Sequence, residues 1–229
     1  MTMLEEQLDL LHRGTEKIGI PLNSVQIEQF TQFLNILSLF NDTYKLVAAS
    51  ESEIVIKHIL DSLAAAPILS TRIASRQWKN PRICDVGSGA GFPGIPLAIV
   101  MSDCRFTLLE RSAKRCGFLR NACSVCNLSN RIEILEMDLH DVRDTFDVVT
   151  FRALHPLADI IRGIDGITRS DSFVAAYKGR YETIVEELDA LERQLKNSNR
   201  LRWDSTLVTL HVPFLSAPRH LCLLEKRMI

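Results

Sequence analysis

The segment Arg82-Ile83-Cys84-Asp85-Val86-Gly87-Ser88-Gly89-Ala90-Gly91-Phe92-Pro93-Gly94-Ile95-Pro96-Leu97 limits the possible folds more than any other part of the chain. A short apolar run holds an aspartate near its end, four glycines follow within eight residues, and an apolar segment of helical length comes next. That order predicts strand, tight turn and helix. Glycines at 87, 89 and 91 allow positive φ and carry no Cβ, so a flat ligand can lie against the main chain. Pro96 has no N–H to lose and suits the first turn of the following helix.

Gly89, Gly91 and Gly94 match a Gly-x-Gly-x-x-Gly spacing that nicotinamide-binding folds share, so the glycines alone leave the ligand open. Asp85 discriminates. In dinucleotide folds the glycines hold a pyrophosphate, which a carboxylate placed just before them repels. S-adenosylmethionine has no phosphate and carries a sulfonium and an ammonium, so it suits an acid at that place. Asp85, Gly87, Gly89 and Gly91 are the cofactor contacts expected from the loop. A nicotinamide-linked oxidoreductase remains the alternative that this acid opposes.

From residue 82 onward, strand and helix patterns alternate. Strands are predicted at 82–86, 105–110, 131–136, 146–151, 172–177, 205–212 and 219–226, with helices near 95–102, 112–127, 155–168 and 181–197. Such alternation implies an α/β fold with a mainly parallel seven-stranded sheet covered on both faces. The connection from Pro213 to Pro218 is too short for a crossover helix, so the last two strands must form an antiparallel hairpin. That finish matches a Rossmann-like methyltransferase sheet. Helices are predicted ahead of it at 3–12, 25–40 and about 51–66, the second capped by Asn23 with Gln26 and the third by Ser50 with Glu53. Residues 70–81 read as a linker, which divides the chain into a helical cap at 1–70 and a methyltransferase core at 71–229.

Ligands of such sheets sit at the carboxyl ends of the strands. Glu110 follows the second strand about 20 residues past the glycines, where an acid commonly accepts both ribose hydroxyls. Leu139 and His140 follow the third strand, a suitable place for an adenine ring. Arg152 ends the fourth and needs an anionic or polar partner, either a bound carboxylate or phosphate or a salt bridge within the fold. Lys178 ends the fifth. Arg111, Lys114 and Arg115 open the next helix as a contiguous basic stripe, to which Arg200, Arg202, Arg219, Lys226 and Arg227 could add. A stripe of this kind is either a solvated face or a nucleic-acid contact, and a non-catalytic RNA-binding scaffold stays open on that basis. His58 and Asp61 are three residues apart on one helix face, and spacing alone favours inter-helix packing over a place in the site.

The net charge of −1 argues against a generally basic nucleic-acid binder but not against a local patch. No apolar stretch is expected to reach the roughly 20 residues of a membrane span, and residues 1–20 are too charged for a secretory leader. A cytoplasmic protein follows, and nothing demands more than a monomer. Cys116, Cys123 and Cys126 share one helix face, which favours core packing over a zinc or redox site.

Asp85 to Leu97, His58-Ile59-Leu60-Asp61-Ser62, Lys114-Arg115 with Phe118-Leu119, Arg152-Ala153 and Lys178-Gly179 together resemble the RsmG family, also called glucose-inhibited division protein B. The likeness spans about residues 20 to 226. It implies a bacterial enzyme that methylates N7 of a guanine in small-subunit (16S) ribosomal RNA, free or in the assembled subunit, with S-adenosyl-L-methionine and no metal. It places cofactor contacts on Gly87, Phe92, Glu110, Leu139, His140 and Arg152. Asp61 and Arg152 are then the expected catalytic residues, and Arg111, Lys114, Arg115, His58 and Lys178 the expected substrate contacts. The family's Tyr-Asn-Leu-Thr is replaced here by Tyr44-Lys45-Leu46-Val47, which removes an amide and a hydroxyl from that loop.

Overall fold

The computed structural model describes residues 2–196 and 203–226. Seven strands form one sheet in the order β3-β2-β1-β4-β5-β7-β6. They are β1 (Arg82–Val86), β2 (Arg105–Leu109), β3 (Ile132–Leu135), β4 (Phe146–Arg152), β5 (Thr168–Lys178), β6 (Trp203–Leu210) and β7 (Arg219–Lys226). The first five pair in parallel, and β7 runs antiparallel to both β5 and β6. The α/β fold with a closing hairpin is therefore the one the sequence predicts. The sequence places the start of β5 at 172, whereas the strand already begins at Thr168.

Helices α1 (Met3–Ile18) and α2 (Ser24–Tyr44) precede the sheet. Asn23 caps α2 as expected: its Oδ1 accepts from the Gln26 N–H at 2.9 Å, and the Gln26 side chain accepts from the Asn23 N–H at 3.0 Å. Asn41 to Thr43 do not stop this helix, which ends one residue later with Lys45 in the left-handed region at φ 50°. The next helical run comprises α3 (Glu51–Ile54), a π-helical turn (Val55–Leu60), α4 (Asp61–Leu63) and α5 (Ala66–Ser75). In the wide turn the Asp61 N–H reaches the carbonyl of Ile56, five residues back. Residues 70–75, expected as linker, are helical because Leu69 and Ile73 continue the apolar spacing begun at Ala66 and are buried. The run Glu51–Ser75 is also long and apolar enough to cross a membrane by length and composition, contrary to the expectation that none would be. Here it is a packed element: Val55, Ile59, Leu60, Leu63 and Leu69 are fully buried.

The remaining helices are α6 (Gly94–Val100), α7 (Ala113–Val125), α8 (Leu157–Gly166) and α9 (Tyr181–Lys196). Successive strand side chains point to opposite faces. Ile83, Leu108, Val148 and Phe173 therefore share a core with the cap residues Phe30, Phe33 and Leu37. Cys84, Val86, Leu109, Val149 and Phe151 face the other way, onto α8 and α9. All six cysteines are buried and free, and burial pushes the Cys123 and Cys126 thiols up to about 12. They remain neutral packing groups.

Candidate functional site

The carboxyl ends of β1, β2 and β4 and the segment after β3 open onto a cavity of about 460 Å³. Val86, Gly87, Glu110, Leu139, His140 and Leu154 stand in its wall. Gly87 has φ 70°, the torsion that requires glycine there, and a Cβ would also displace the tip of the Leu154 side chain, 2.8 Å away. Glu110 is 5% exposed; its Oε2 accepts from the Gly89 N–H at 3.0 Å and its Oε1 from the Ser112 N–H at 2.9 Å. The carboxylate is thus fixed at the rim with lone pairs to spare. Leu139 and His140 form a single 3₁₀ turn whose Asp138 side chain accepts from the His140 N–H at 3.1 Å.

Asp85 and Arg152, both expected at the cofactor, do not stand in that wall. Strand alternation explains this: they have the parity of Ile83 and Val148 and turn to the cap side. Asp85 is fully buried, and its Oδ2 accepts from the Gly94 N–H at 3.0 Å, while its Oδ1 has no partner. Burial pushes its carboxyl up to about 7, against the lowering effect of the Gly94 and Ser88 hydrogen bonds and of Arg152. A group with a raised folded pKa contributes stability at low pH and loses it as pH rises. Native stability should therefore fall between about pH 4 and pH 7 by an amount on the order of 4 kcal/mol. Asp85→Asn should remove that slope and be the more stable protein at pH 8. Denaturant unfolding of both proteins at pH 5 and pH 8 measures it; equal slopes would refute it.

Arg152 finds its partners within the fold. Its Nη1 donates to Asp61 Oδ2 and to the Lys57 carbonyl, each at 2.9 Å, and its Nη2 lies 2.7 Å from His58 Nδ1. Asp61 Oδ1 accepts from Arg219 Nε at 3.0 Å, so both carboxylate oxygens are engaged. Asp61 is therefore no free acceptor but the holder of two guanidinium groups. Burial first, then Arg152, Lys57 and Arg219, lowers His58 to about 4, so its imidazole is neutral at pH 7 and accepts from Arg152. Phe92 is also inside the cap interface, with its ring centroid 5.1 Å from His58 and 5.4 Å from Phe33. Gly91, at φ 87°, faces Ile95 and Leu119 rather than the cavity.

The basic stripe divides. Arg111 and Arg115 line the cavity, and Arg115 approaches Glu110 at 3.7 Å. Lys114 instead lies over the Tyr44 ring, 4.3 Å from its centroid. Lys178, expected to meet substrate, is held by Glu187 at 2.6 Å with its side chain only 10% exposed. The same Glu187 oxygen accepts from the Leu157 N–H at 3.0 Å, so Lys178 serves to tie β5 to α8 and α9. Of the distant basic residues, Arg200, Arg202 and Arg227 lie outside the described residues; Lys226 is bound to Asp165 at 3.0 Å.

A family model described as "rRNA small subunit methyltransferase G" matches residues 26–221, from α2 through β7. The chain belongs to this family. A ribosomal RNA small subunit methyltransferase G from Nitrosococcus oceani is 33% identical over 221 residues, which cover 96% of this chain and 95% of that one. One from Treponema pallidum is 37% identical over 198 residues, covering 83% and 81%. Among solved structures, a ribosomal protein L11 methylase from Lactobacillus delbrueckii superposes with a TM-score of 0.54 at 16% identity, covering 80% of this chain and 83% of that chain. That likeness shows the fold.

The family match takes in both the cavity and the Arg152–Asp61–Arg219 cluster. The family's name says nothing of Arg219, and sequence reading offered it only as an addition to the basic surface. A signal for it was present, since an antiparallel strand begins at the rim where parallel strands end. Asp159 and Ile160 are further cavity residues that only the folded chain reveals.

Proposed function

We propose that the protein transfers a methyl group from S-adenosyl-L-methionine to N7 of a guanine in small-subunit ribosomal RNA. The observation that carries this reading is the cavity at the strand ends, which pairs a fixed acid with an apolar wall. Glu110 is placed to accept ribose hydroxyls, while Leu139, Leu154, Met137 and Ile160 offer a dry surface for an adenine ring. Gly87 keeps the floor free of side chain. The unpartnered Asp85 Oδ1 is buried on the cap side and does not line the cavity. Glu110 and the apolar wall fit the cofactor's nucleoside.

When bound, the cofactor supplies an electrophilic methyl group. Guanine N7 presents an in-plane lone pair and has no proton to lose, so no general base is needed. The chain's work is positioning, and proximity of this kind can contribute about 7–11 kcal/mol in well-oriented reactions. The absence of a required base agrees with a cluster in which His58 and Asp61 are committed to Arg152. A-form RNA hides N7 in a groove that side chains cannot enter, so the target is an unpaired or accessible loop base. Ribosome assembly places such an enzyme in the cytoplasm.

Incubation with radiolabelled cofactor and unmodified small-subunit RNA or subunits, followed by chemical cleavage at N7-methylguanine, tests the proposal. Label and a single cleavage site are expected. Confirmed cofactor binding with no transfer to either substrate would refute it.

A further inference from the structure

Phe214 is the one phenylalanine among the described residues that is exposed, at 42%. It lies in the β6–β7 connection, whose position follows from the pairing. Arg152 pairs with Tyr177, Tyr177 with Leu221 and Leu221 with Val208, so one row crosses β4, β5, β7 and β6. Residues 211–218 continue beyond that row and therefore stand on the same rim as Arg152 and the cavity. At about 4.8 Å per strand, β7 starts roughly 10 Å from the end of β4. The Asp61 carboxylate spans that gap by holding Arg152 and Arg219 together.

Phe214 is not what anchors its connection in the core. Val212 is buried and Leu215 packs partly against the core, and these two anchor the connection. Phe214 between them has φ 66°, a conformation that costs a bulky side chain and that glycine or asparagine adopts readily. Two cations from α1 attend its ring: Lys17 Nζ at 4.7 Å and Arg13 at 5.6 Å from the centroid. Arg13 is paired with Asp9 at 2.9 Å, and among the described residues Lys17 stands in no ion pair. Arg219, at the other end of the same connection, belongs to a cluster with two arginines and one carboxylate. The surface combines an open aromatic with net positive charge.

We propose that Phe214 is a stacking platform for a nucleobase of single-stranded RNA beside the target guanine, with Lys17 meeting the neighbouring phosphate. The charge fits a polyanion, and the aromatic fits the one feature every base shares, a flat face. The proposal rests on RNA as the substrate and adds the place where RNA docks.

The test compares Phe214→Ala, Phe214→Leu and Phe214→Trp with the unaltered protein. It uses filter retention of a single-stranded oligoribonucleotide without cofactor, and the KM values for RNA and for cofactor. Phe214→Ala and Phe214→Leu should weaken retention and raise the KM for RNA about tenfold, within the range of one lost stack, while the cofactor KM holds and Phe214→Trp restores both. Lys17→Gln should lower the salt dependence of retention by about one phosphate contact. Retention unchanged in Phe214→Ala, or equal performance by Phe214→Leu and the unaltered protein, would overturn the proposal. So would a joint loss of cofactor affinity and thermal stability, which marks a packing role. Retention reads the platform directly, so an enzyme that binds RNA through Phe214 but transfers no methyl group would count against the proposed reaction and for the docking site.

Discussion

Asp61→Ala is expected to lower the stability of the protein by about 3–5 kcal/mol, the range found when one partner of a buried ion pair is removed. The Asp61 side chain is 4% exposed, and those of Arg152 and Arg219 are 17% and 26% exposed. Without the carboxylate, two guanidinium groups face each other across a cavity, and the neutral His58 supplies no compensating charge. For a chain of this size the melting temperature should drop by roughly 10 °C. Asp61→Asn keeps the shape and one acceptor and should fall between the two. Methyl transfer should also decline, because Arg152 loses the contact that fixes it beside Phe92, over whose ring it lies at 5.4 Å. Denaturant unfolding with single-turnover methylation separates the two effects. A melting shift of less than about 2 °C would mean that water replaces the carboxylate at little cost.

Gly94→Ala should be nearly as severe and for a different reason. Gly94 does not have a positive φ, so glycine is needed there for space and not for torsion. A Cβ would fall within the van der Waals shell of Leu108 and 2.7 Å from Asp85 Oδ2. Leu108 and Asp85 are both fully buried in the strands below and have nowhere to go. Overpacking of this kind costs about 1–3 kcal/mol. Pushing α6 off its floor also breaks the Gly94 N–H bond to Asp85, whose carboxyl is pushed up to about 7 by burial, so the bond contributes about 0.5–1.5 kcal/mol. The sum is about 1.5–4.5 kcal/mol, accompanied by loss of cofactor binding because the loop above moves with the helix. Calorimetric titration with the cofactor at a temperature where the variant remains folded checks the second part. Undiminished affinity there would show that loop and helix are uncoupled.

The site was legible in the sequence where one local pattern determines it. Gly87 of the glycine loop, Glu110 and the Leu139-His140 pair each sit in a strand–turn–helix unit, and the folded chain brings them to one cavity. Direction was not legible. Whether Asp85 and Arg152 point to the cavity or to the cap depends on strand parity relative to both cores, and a one-residue difference reverses the answer. The Asp61–Arg219 bond joins residues 158 apart, a separation that no spacing rule addresses. Lys178 carries the same charge whether it meets a substrate or Glu187, so its pairing needed the packing of α9 on β5. The helix through residue 75 was hidden for a simpler reason: Ser70, Arg72 and Ser75 look like linker, although the buried face between them is apolar.

The wide turn at Val55–Leu60 behaves as a one-residue insertion in an otherwise regular helical run. Rewinding it to 3.6 residues per turn with the extra residue kept would rotate everything on one side by about 100° against the other. The apolar face formed by Val55, Ile59 and Leu60 could then stay in the core only if Asp61 turned away from Arg152 and Arg219. The width of this turn is therefore as fixed as residue identity in the glycine loop, because it seats the apolar face and the Asp61 carboxylate together.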